Sequence, residues 1–208
     1  MVGLLDTTPI SNKNLFLKRV FDVAGSSIGL VLTWWIVLLG YIVSTLDTGE
    51  NGFFVQERIG CHGRKFKVIK LRTMKLNPDI NTNVTTLNDQ RVTMAGRILR
   101  SAKIDELPQL VNILIGDMSF VGPRPDVPGF ADRLEGAERL ILSVRPGLTG
   151  PATLKYKNEE ELLAGKADPE EYNKRVIYPD KVRINLEYIQ NYSFFKDMEY
   201  ILKTICVR

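Results

Sequence analysis

The chain has 208 residues, 44% of them hydrophobic, and a mean hydropathy near zero, enough for one respectable core but not for two independent ones. A formal charge of +4 and a pI near 9.0 suit nucleic acid, an anionic membrane or a phosphorylated substrate, without choosing among them. Two distant cysteines, Cys61 and Cys206, and one histidine, His62, argue against a zinc site or a disulfide scaffold and fit a reducing compartment. Two glycosylation triplets, at Asn83 and Asn191, carry no weight because nothing else argues for secretion.

Residues 23–46 read VAGSSIGLVLTWWIVLLGYIVSTL, without one charged side chain. A helix of that length crosses a hydrocarbon core of about 30 Å. The run is longer than the apolar part of a signal peptide, and no small-residue cleavage pattern follows it. Trp34, Trp35 and Tyr41 favour lipid contact over a buried core helix. Lys13, Lys18 and Arg19 precede the run, whereas Asp47 and Glu50 follow it, so a simple span would put the remaining domain outside the cell. A segment that enters the membrane and returns on the same side avoids this, provided freed backbone groups find partners. Gly25, Ser26, Ser27, Gly29 and Thr33 are the available loosening or back-bonding residues, and no proline is present.

Beyond this run a soluble domain is expected. Residues 53–56 and 65–71 have strand character, and Gly60 and Gly63 between them supply a turn, which predicts a hairpin with Arg72 at its exit. Residues 77–88 read as a surface loop, and 91–102 as a helix with Met94, Ile98 and Leu99 at helical spacing. Pro108 belongs in a first helical turn, so the next helix should start near 104–107 with Asp105 and Glu106 at its open end. Leu107, Leu110, Val111, Leu114 and Ile115 form the expected buried stripe. Acidic residues at a helix start commonly do no more than complement the helix dipole. Ionised carboxylates there can also bind a divalent cation, or one can attack phosphorus.

Arg124 lies between Pro123 and Pro125, whose fixed φ angles restrict the backbone and aim a guanidinium suited to phosphate oxygens. The competing reading is a turn with a surface arginine. Residues 145–151, RPGLTGP, read as a second turn, and Lys155 and Lys157 extend the basic character. Glu159, Glu160 and Glu161 read as a solvated helix start with no chemistry. Near the C-terminus Phe194, Met198, Ile201 and Ile205 share one helical face, which suits core packing or an interfacial helix.

Four ordered blocks, FVQERIG (54–60), FKVIKLRTM (66–74), LRSAKIDELPQLVNILIGDMSFVGPRPD (99–126) and RPGLTG (145–150), closely resemble the bacterial sugar transferases that initiate glycan assembly, the monotopic phosphoglycosyl transferases. The resemblance implies an α+β, mainly helical protein: an N-terminal segment (1–19), a re-entrant membrane helix (20–47) and a cytoplasmic domain (48–208) with a β-hairpin and an interfacial C-terminal helix. It implies transfer of a phosphosugar from a UDP-sugar to polyprenyl phosphate, with Asp105 as nucleophile, a covalent aspartyl intermediate and release of UMP. Asp105 and Glu106 would hold Mg²⁺, and Arg72, Arg100, Arg124 and Lys157 would approach the phosphates or nucleotide, Lys157 in place of a family arginine. The expected location is the cytoplasmic face of the bacterial inner membrane, and a homodimer is allowed.

The family's membrane segment commonly carries a Ser-Pro pair, whereas Thr33-Trp34 stands here, so the bend would rest on Thr33, Ser26, Ser27 and the nearby glycines. Two other classes are weaker: a membrane-anchored scaffold has no need of the acidic pair, and no nucleic-acid motif is visible. No pattern names the sugar, whose contacts are expected within 151–180.

Overall fold

Helix α1 (Asn12–Thr48) is the longest element of the computed structural model, which describes residues 10–76 and 89–206; the surface loop expected at 77–88 lies outside that range. Ser11 caps α1 by accepting from the Asn14 N–H, and Gly49 ends it in the left-handed conformation. At 37 residues it extends about 55 Å, and it is long and apolar enough to cross a membrane. Its helical conformation is continuous from end to end. The Ser26 and Thr33 hydroxyls donate to the carbonyls of Asp22 and Gly29 one turn earlier, at 2.6 and 2.7 Å.

One face of α1 lies against the rest of the protein. Lys18, Asp22, Ser26, Gly40 and Ser44 are buried, spaced by helical turns. A Cβ on Gly25 would come within 2.8 Å of the Phe120 ring, and one on Gly29 within 3.0 Å of Leu110. Small residues therefore bring the helix backbone close to the domain. The remaining faces expose Phe16, Ile28, Val31, Leu32, Trp34 and Leu46.

The predicted hairpin is present as β1 (Phe53–Ile59) and β2 (Lys65–Leu71), antiparallel from Phe53↔Leu71 to Ile59↔Lys65, with β1 running three residues further than expected. Helix α2 (Met94–Ser101) is shorter than the periodic stretch because Thr93 caps it, its hydroxyl accepting from the Gly96 N–H at 2.9 Å. The helix expected to start near 104–107 starts instead at Gln109, with Pro108 just ahead of it, and the acidic pair sits in a separate 3₁₀ turn, Ile104–Glu106, entered through Lys103 at φ 58°. Helix α3 (Gln109–Ile115) follows.

The buried stripe of α3 differs from the expected one. Leu110 is buried, yet Val111 and Ile115 are exposed, and Asn112 and Ile113 are buried instead. The cause is polar: Asn112 Nδ2 donates to the Lys67 carbonyl at 2.8 Å, and its Oδ1 accepts from the Ile69 N–H at 3.2 Å. These bonds turn Asn112 toward β2, and α3 rotates with it.

Strands β3 (Ser119–Val121) and β4 (Gly147–Thr149) form a parallel pair, β4 within the stretch read as a turn; three-residue strands carry too little alternation to register. Two 3₁₀ segments, Ala131–Arg133 and Gly136–Ser143, lie between the strands, and among the described residues five α-helices follow: α4 (Pro151–Lys155), α5 (Glu159–Ala164), α6 (Pro169–Tyr172), α7 (Tyr178–Gln190) and α8 (Phe194–Cys206), with a π-helical turn at Asn173–Ile177 between α6 and α7. A larger core gathers Ile59, Val121, Ile141, Val182 and Ile189, and a smaller one packs Val68, Leu110, Ile113 and Met118 between hairpin and α3. In α8, Phe194, Met198 and Ile201 are half-buried, while Phe195, Leu202 and Ile205 are exposed. Cys61 and Cys206 are both free.

The N-terminal part of α1 is tied to α8 by a buried ion pair. Asp197 accepts from Lys18 Nζ at 2.6 Å, Tyr188 OH at 2.8 Å and Tyr192 OH at 3.2 Å, and both charged residues are nearly inaccessible. Removing one partner would strand a buried charge, whereas an apolar pair could fill the same space. Asp197→Ala is therefore expected to lower stability by about 3–5 kcal/mol, and Lys18→Met with Asp197→Leu by much less, read by thermal unfolding in detergent. Equal losses in the two variants would contradict this account of the pair.

Candidate active site

The 3₁₀ turn, β2 and the loop after β3 meet at the Glu106 side chain. Its Oε1 accepts from Arg124 Nη2 at 2.6 Å and from Lys70 Nζ at 3.1 Å. Lys70 reaches it because strand alternation puts residues 66, 68 and 70 on the face that packs on α3. Arg124 reaches it from a loop held on both flanks. Arg58 Nη1 of β1 donates to the Pro125 carbonyl at 3.1 Å, and the Gly147 N–H donates to the Pro123 carbonyl at 2.8 Å. A Cβ on Gly147 would fall 2.1 Å from the Gly122 nitrogen, so glycine is required for the two loops to touch.

The two carboxylates of the pair have opposite electrostatic surroundings. Burial alone would push the Glu106 carboxyl up, but the Arg124 and Lys70 cations outweigh it and hold the group well below the usual carboxylate range. Asp105 is 8% exposed, and its Oδ1 is buried without a hydrogen-bond partner. Burial first, and the Glu106 charge second, push the Asp105 carboxyl up to about 6. Adjacent carboxylates with separated acidities are a recurring arrangement for dividing chemical roles. An unsolvated, unpaired carboxylate oxygen that is still ionised at neutral pH is a competent nucleophile or cation ligand.

The other expected residues are placed unevenly. Arg100 of α2 is near enough for its charge to act on Asp105, and its Nη2 donates to Glu160 Oε1 at 2.6 Å. Arg72 donates from Nε to the Asn51 carbonyl at 2.8 Å and lies over the Phe54 ring, and no hydrogen bond or ion pair joins it to the acidic pair among the described residues. Lys157 is exposed. Sequence reading passed over two members: Lys70, whose signal was a lysine on the inward face of a strand, and Glu160, taken as solvated.

Two carboxylates fit Mg²⁺, which commonly takes one or two from the protein and further oxygens from substrate phosphates. Asp105 Oδ1 is the better donor, since Glu106 Oε1 is already shared by two cations. Among the described residues no cluster of three or more histidine, cysteine or acidic side chains offers a complete protein cage.

A buried carboxyl whose acidity is weakened by folding costs stability once it ionises. The sign is that of a raised folded-state value: the favourable protonated contribution is lost as pH rises from about 4 through about 6. Asp105→Asn should therefore be more stable than the parent by about 2–3 kcal/mol above pH 6, with the difference vanishing toward pH 4, as read from thermal unfolding midpoints. A variant less stable than the parent at pH 7.5 would contradict the assignment of a buried, unpaired carboxylate.

Comparison with known proteins matches the sequence of this chain to one family. Its model, described as Bacterial sugar transferase, matches residues 13–208. The Exopolysaccharide production protein ExoY of Rhizobium meliloti is 35% identical over 204 residues, covering 90% of this chain and 83% of that protein. The UDP-glucose:undecaprenyl-phosphate glucose-1-phosphate transferase of Caulobacter vibrioides is 37% identical over 194 residues, 90% of this chain and 68% of that protein. The Putative undecaprenyl-phosphate N-acetylgalactosaminyl 1-phosphate transferase of Bacillus subtilis is 39% identical over 139 residues, 61% of this chain and 78% of that protein. With the family match spanning almost its whole length and including every element that builds the acidic site, the chain belongs to the bacterial sugar transferase family.

Proposed function

We propose that the chain transfers a phosphosugar from a UDP-sugar to polyprenyl phosphate through a covalent intermediate on Asp105. The observation that carries this reading is the buried, unpartnered Asp105 Oδ1 beside a Glu106 bridged by Lys70 and Arg124. The names of the relatives, which specify undecaprenyl phosphate and a sugar 1-phosphate, support the same substrate class. In the first step an Asp105 oxygen attacks the phosphorus that bears the sugar. The bond from that phosphorus to the UMP oxygen breaks, and UMP leaves. In the second step an oxygen of polyprenyl phosphate attacks the same phosphorus, freeing the Asp105 carboxylate and giving a lipid diphosphate sugar.

The residues divide the work. Arg124 and Lys70 fix Glu106 and present positive charge to the incoming diphosphate, while Arg100 can exchange Glu160 for a phosphate oxygen. Asp105 and Glu106 would hold Mg²⁺, which when bound offsets the charge between carboxylate and diphosphate. Arg72 and Lys157 are assigned to the nucleotide end by family resemblance.

The same reading needs Asp105 on the side of the membrane where UDP-sugars occur, the cytoplasmic face of the bacterial inner membrane. This requires α1 to bend within the bilayer and return rather than span it, and because its helical hydrogen bonding is unbroken the bend would be a curvature at the back-bonded Ser26 and Thr33. The supporting observation is that one domain holds both ends of α1: Lys18 bonds Asp197 of α8, and Tyr41 packs on Phe53 of β1 with ring centroids 4.8 Å apart. A helix perpendicular to the membrane and lined by α3 and β2 along its length would drag charged, hydrogen-bonding backbone into lipid.

The reading is tested by UMP release from UDP-sugars with Mg²⁺ and no lipid acceptor. One equivalent per enzyme is expected, and none from Asp105→Asn; release that needs the lipid would point to direct transfer instead. For the topology, single cysteines at Asn12 and Glu50 in a chain with Cys61 and Cys206 replaced should both label from the cytoplasmic side; labelling from opposite sides excludes re-entry.

A further inference from the structure

Helix α5 borders the site through its first two residues. Glu160 holds Arg100, whose charge acts on Asp105, and the Glu159 charge acts on Arg124. Glu159 is itself fixed by Lys181 of α7 at 2.6 Å. Next to this junction the α4–α5 connection forms an open cleft of 460 Å³ lined by Lys155, Tyr156, Asn158, Glu159, Glu161 and Leu162. Small-molecule sites commonly fall in the range of about 300–1,000 Å³.

The lining selects among the parts of a nucleotide sugar. Tyr156 is positioned by its hydroxyl, which donates to Asp180 Oδ2 at 2.7 Å, while Lys155 Nζ donates to the same oxygen at 2.5 Å. Its ring and the partly exposed Leu162 offer apolar surface. Asn158 Nδ2 donates to Glu161 Oε2 at 3.0 Å, leaving an amide and a carboxylate at the cleft with capacity for further hydrogen bonds. Glu159 is paired with Lys181 and Lys155 with Asp180, so the remaining carboxylate of the lining, Glu161, disfavours a diphosphate here. Uracil offers two carbonyl acceptors and a single N–H donor, a poor match for carboxylates. A hexose offers several hydroxyl donors together with an apolar C–H face, and matches both halves of the lining.

We infer that this cleft receives the sugar of the nucleotide-sugar donor, with Asn158 and Glu161 distinguishing ring substituents and Tyr156 and Leu162 packing on the C–H face. The assignment rests on the phosphosugar-transfer reading above. In that reaction UMP departs after the first step while the sugar stays attached through Asp105, so the sugar subsite has to adjoin Asp105 in both steps. The cleft borders the site at the start of α5, where Glu159 lines it and the next residue, Glu160, holds Arg100 at 2.6 Å, which gives sugar binding a route to release Arg100.

The test uses the full-length enzyme and two single variants at exposed positions, Asn158→Ala and Glu161→Ala, with unchanged thermal midpoints as the folding control. For each, kcat/KM for acceptor-free UMP release is measured with UDP-glucose, UDP-galactose and UDP-N-acetylglucosamine, together with the inhibition constant of UMP. The expected result is a change of about tenfold or more in the ratio between the best donor and the next, with UMP inhibition unaltered. An equal fall for all donors, no change, or a matching loss of UMP inhibition would overturn the assignment. Failure of the transfer reading itself has a different signature, since the unaltered enzyme would then release UMP from none of the three donors, and both conclusions would fall.

Discussion

A single carboxylate oxygen, Glu106 Oε1, is shared by Lys70 from the hairpin and Arg124 from the proline-flanked loop, and the character of the site depends on that sharing. Without the two cations, adjacent buried carboxylates would repel each other, and one would be expected to take up a proton. With them, Glu106 stays ionised, and its remaining field falls on Asp105, which is buried and has an oxygen with no partner. The acidic pair thus separates into a fixed member and an unpaired one. The separation is structural as much as electrostatic, because it requires β2, the 3₁₀ turn and the loop after β3 to converge within hydrogen-bond distance.

Convergence is enforced by close backbone approaches rather than by a large sheet. The β3–β4 pair has only three residues on each side, yet its glycines let the two loops touch, and Arg58 braces the Pro125 carbonyl from the hairpin. Asn112 performs the same task for α3, bonding two backbone groups of β2. Helix α1 then closes this assembly from one side. Its small face accepts Phe120 and Leu110, its buried Lys18 and Asp22 bond α8 and β3, and its apolar faces are left outward. An outward apolar side chain of α1 and one contacting the domain are therefore a turn or less apart.

Much of this was legible in the sequence because it rests on local rules. The charge-free run, the hairpin with its glycine turn, the helix following Pro108 and the constrained Arg124 each follow from short-range sterics or periodicity. What escaped has a common cause in long-range polar contacts. Asn112 turned α3 so that Val111 and Ile115 point outward, against a stripe drawn from hydrophobicity alone. Lys70 reads only as part of a strand and Glu160 as part of a solvated helix start, and only tertiary structure pairs them with Glu106 and Arg100. The 3₁₀ turn holding the acidic pair likewise depends on Lys103 adopting a positive φ, which side-chain identity does not announce.

The central claim, that Glu106 is the fixed carboxylate and Asp105 the one that bonds to phosphorus, is tested most directly by mass spectrometry after brief exposure to a UDP-sugar with Mg²⁺ and no acceptor. The account predicts a phosphosugar-sized mass increase that maps to the peptide containing Asp105, localises to Asp105 and disappears when polyprenyl phosphate is added. An adduct on Glu106, or UMP release with no adduct on the protein, would contradict it.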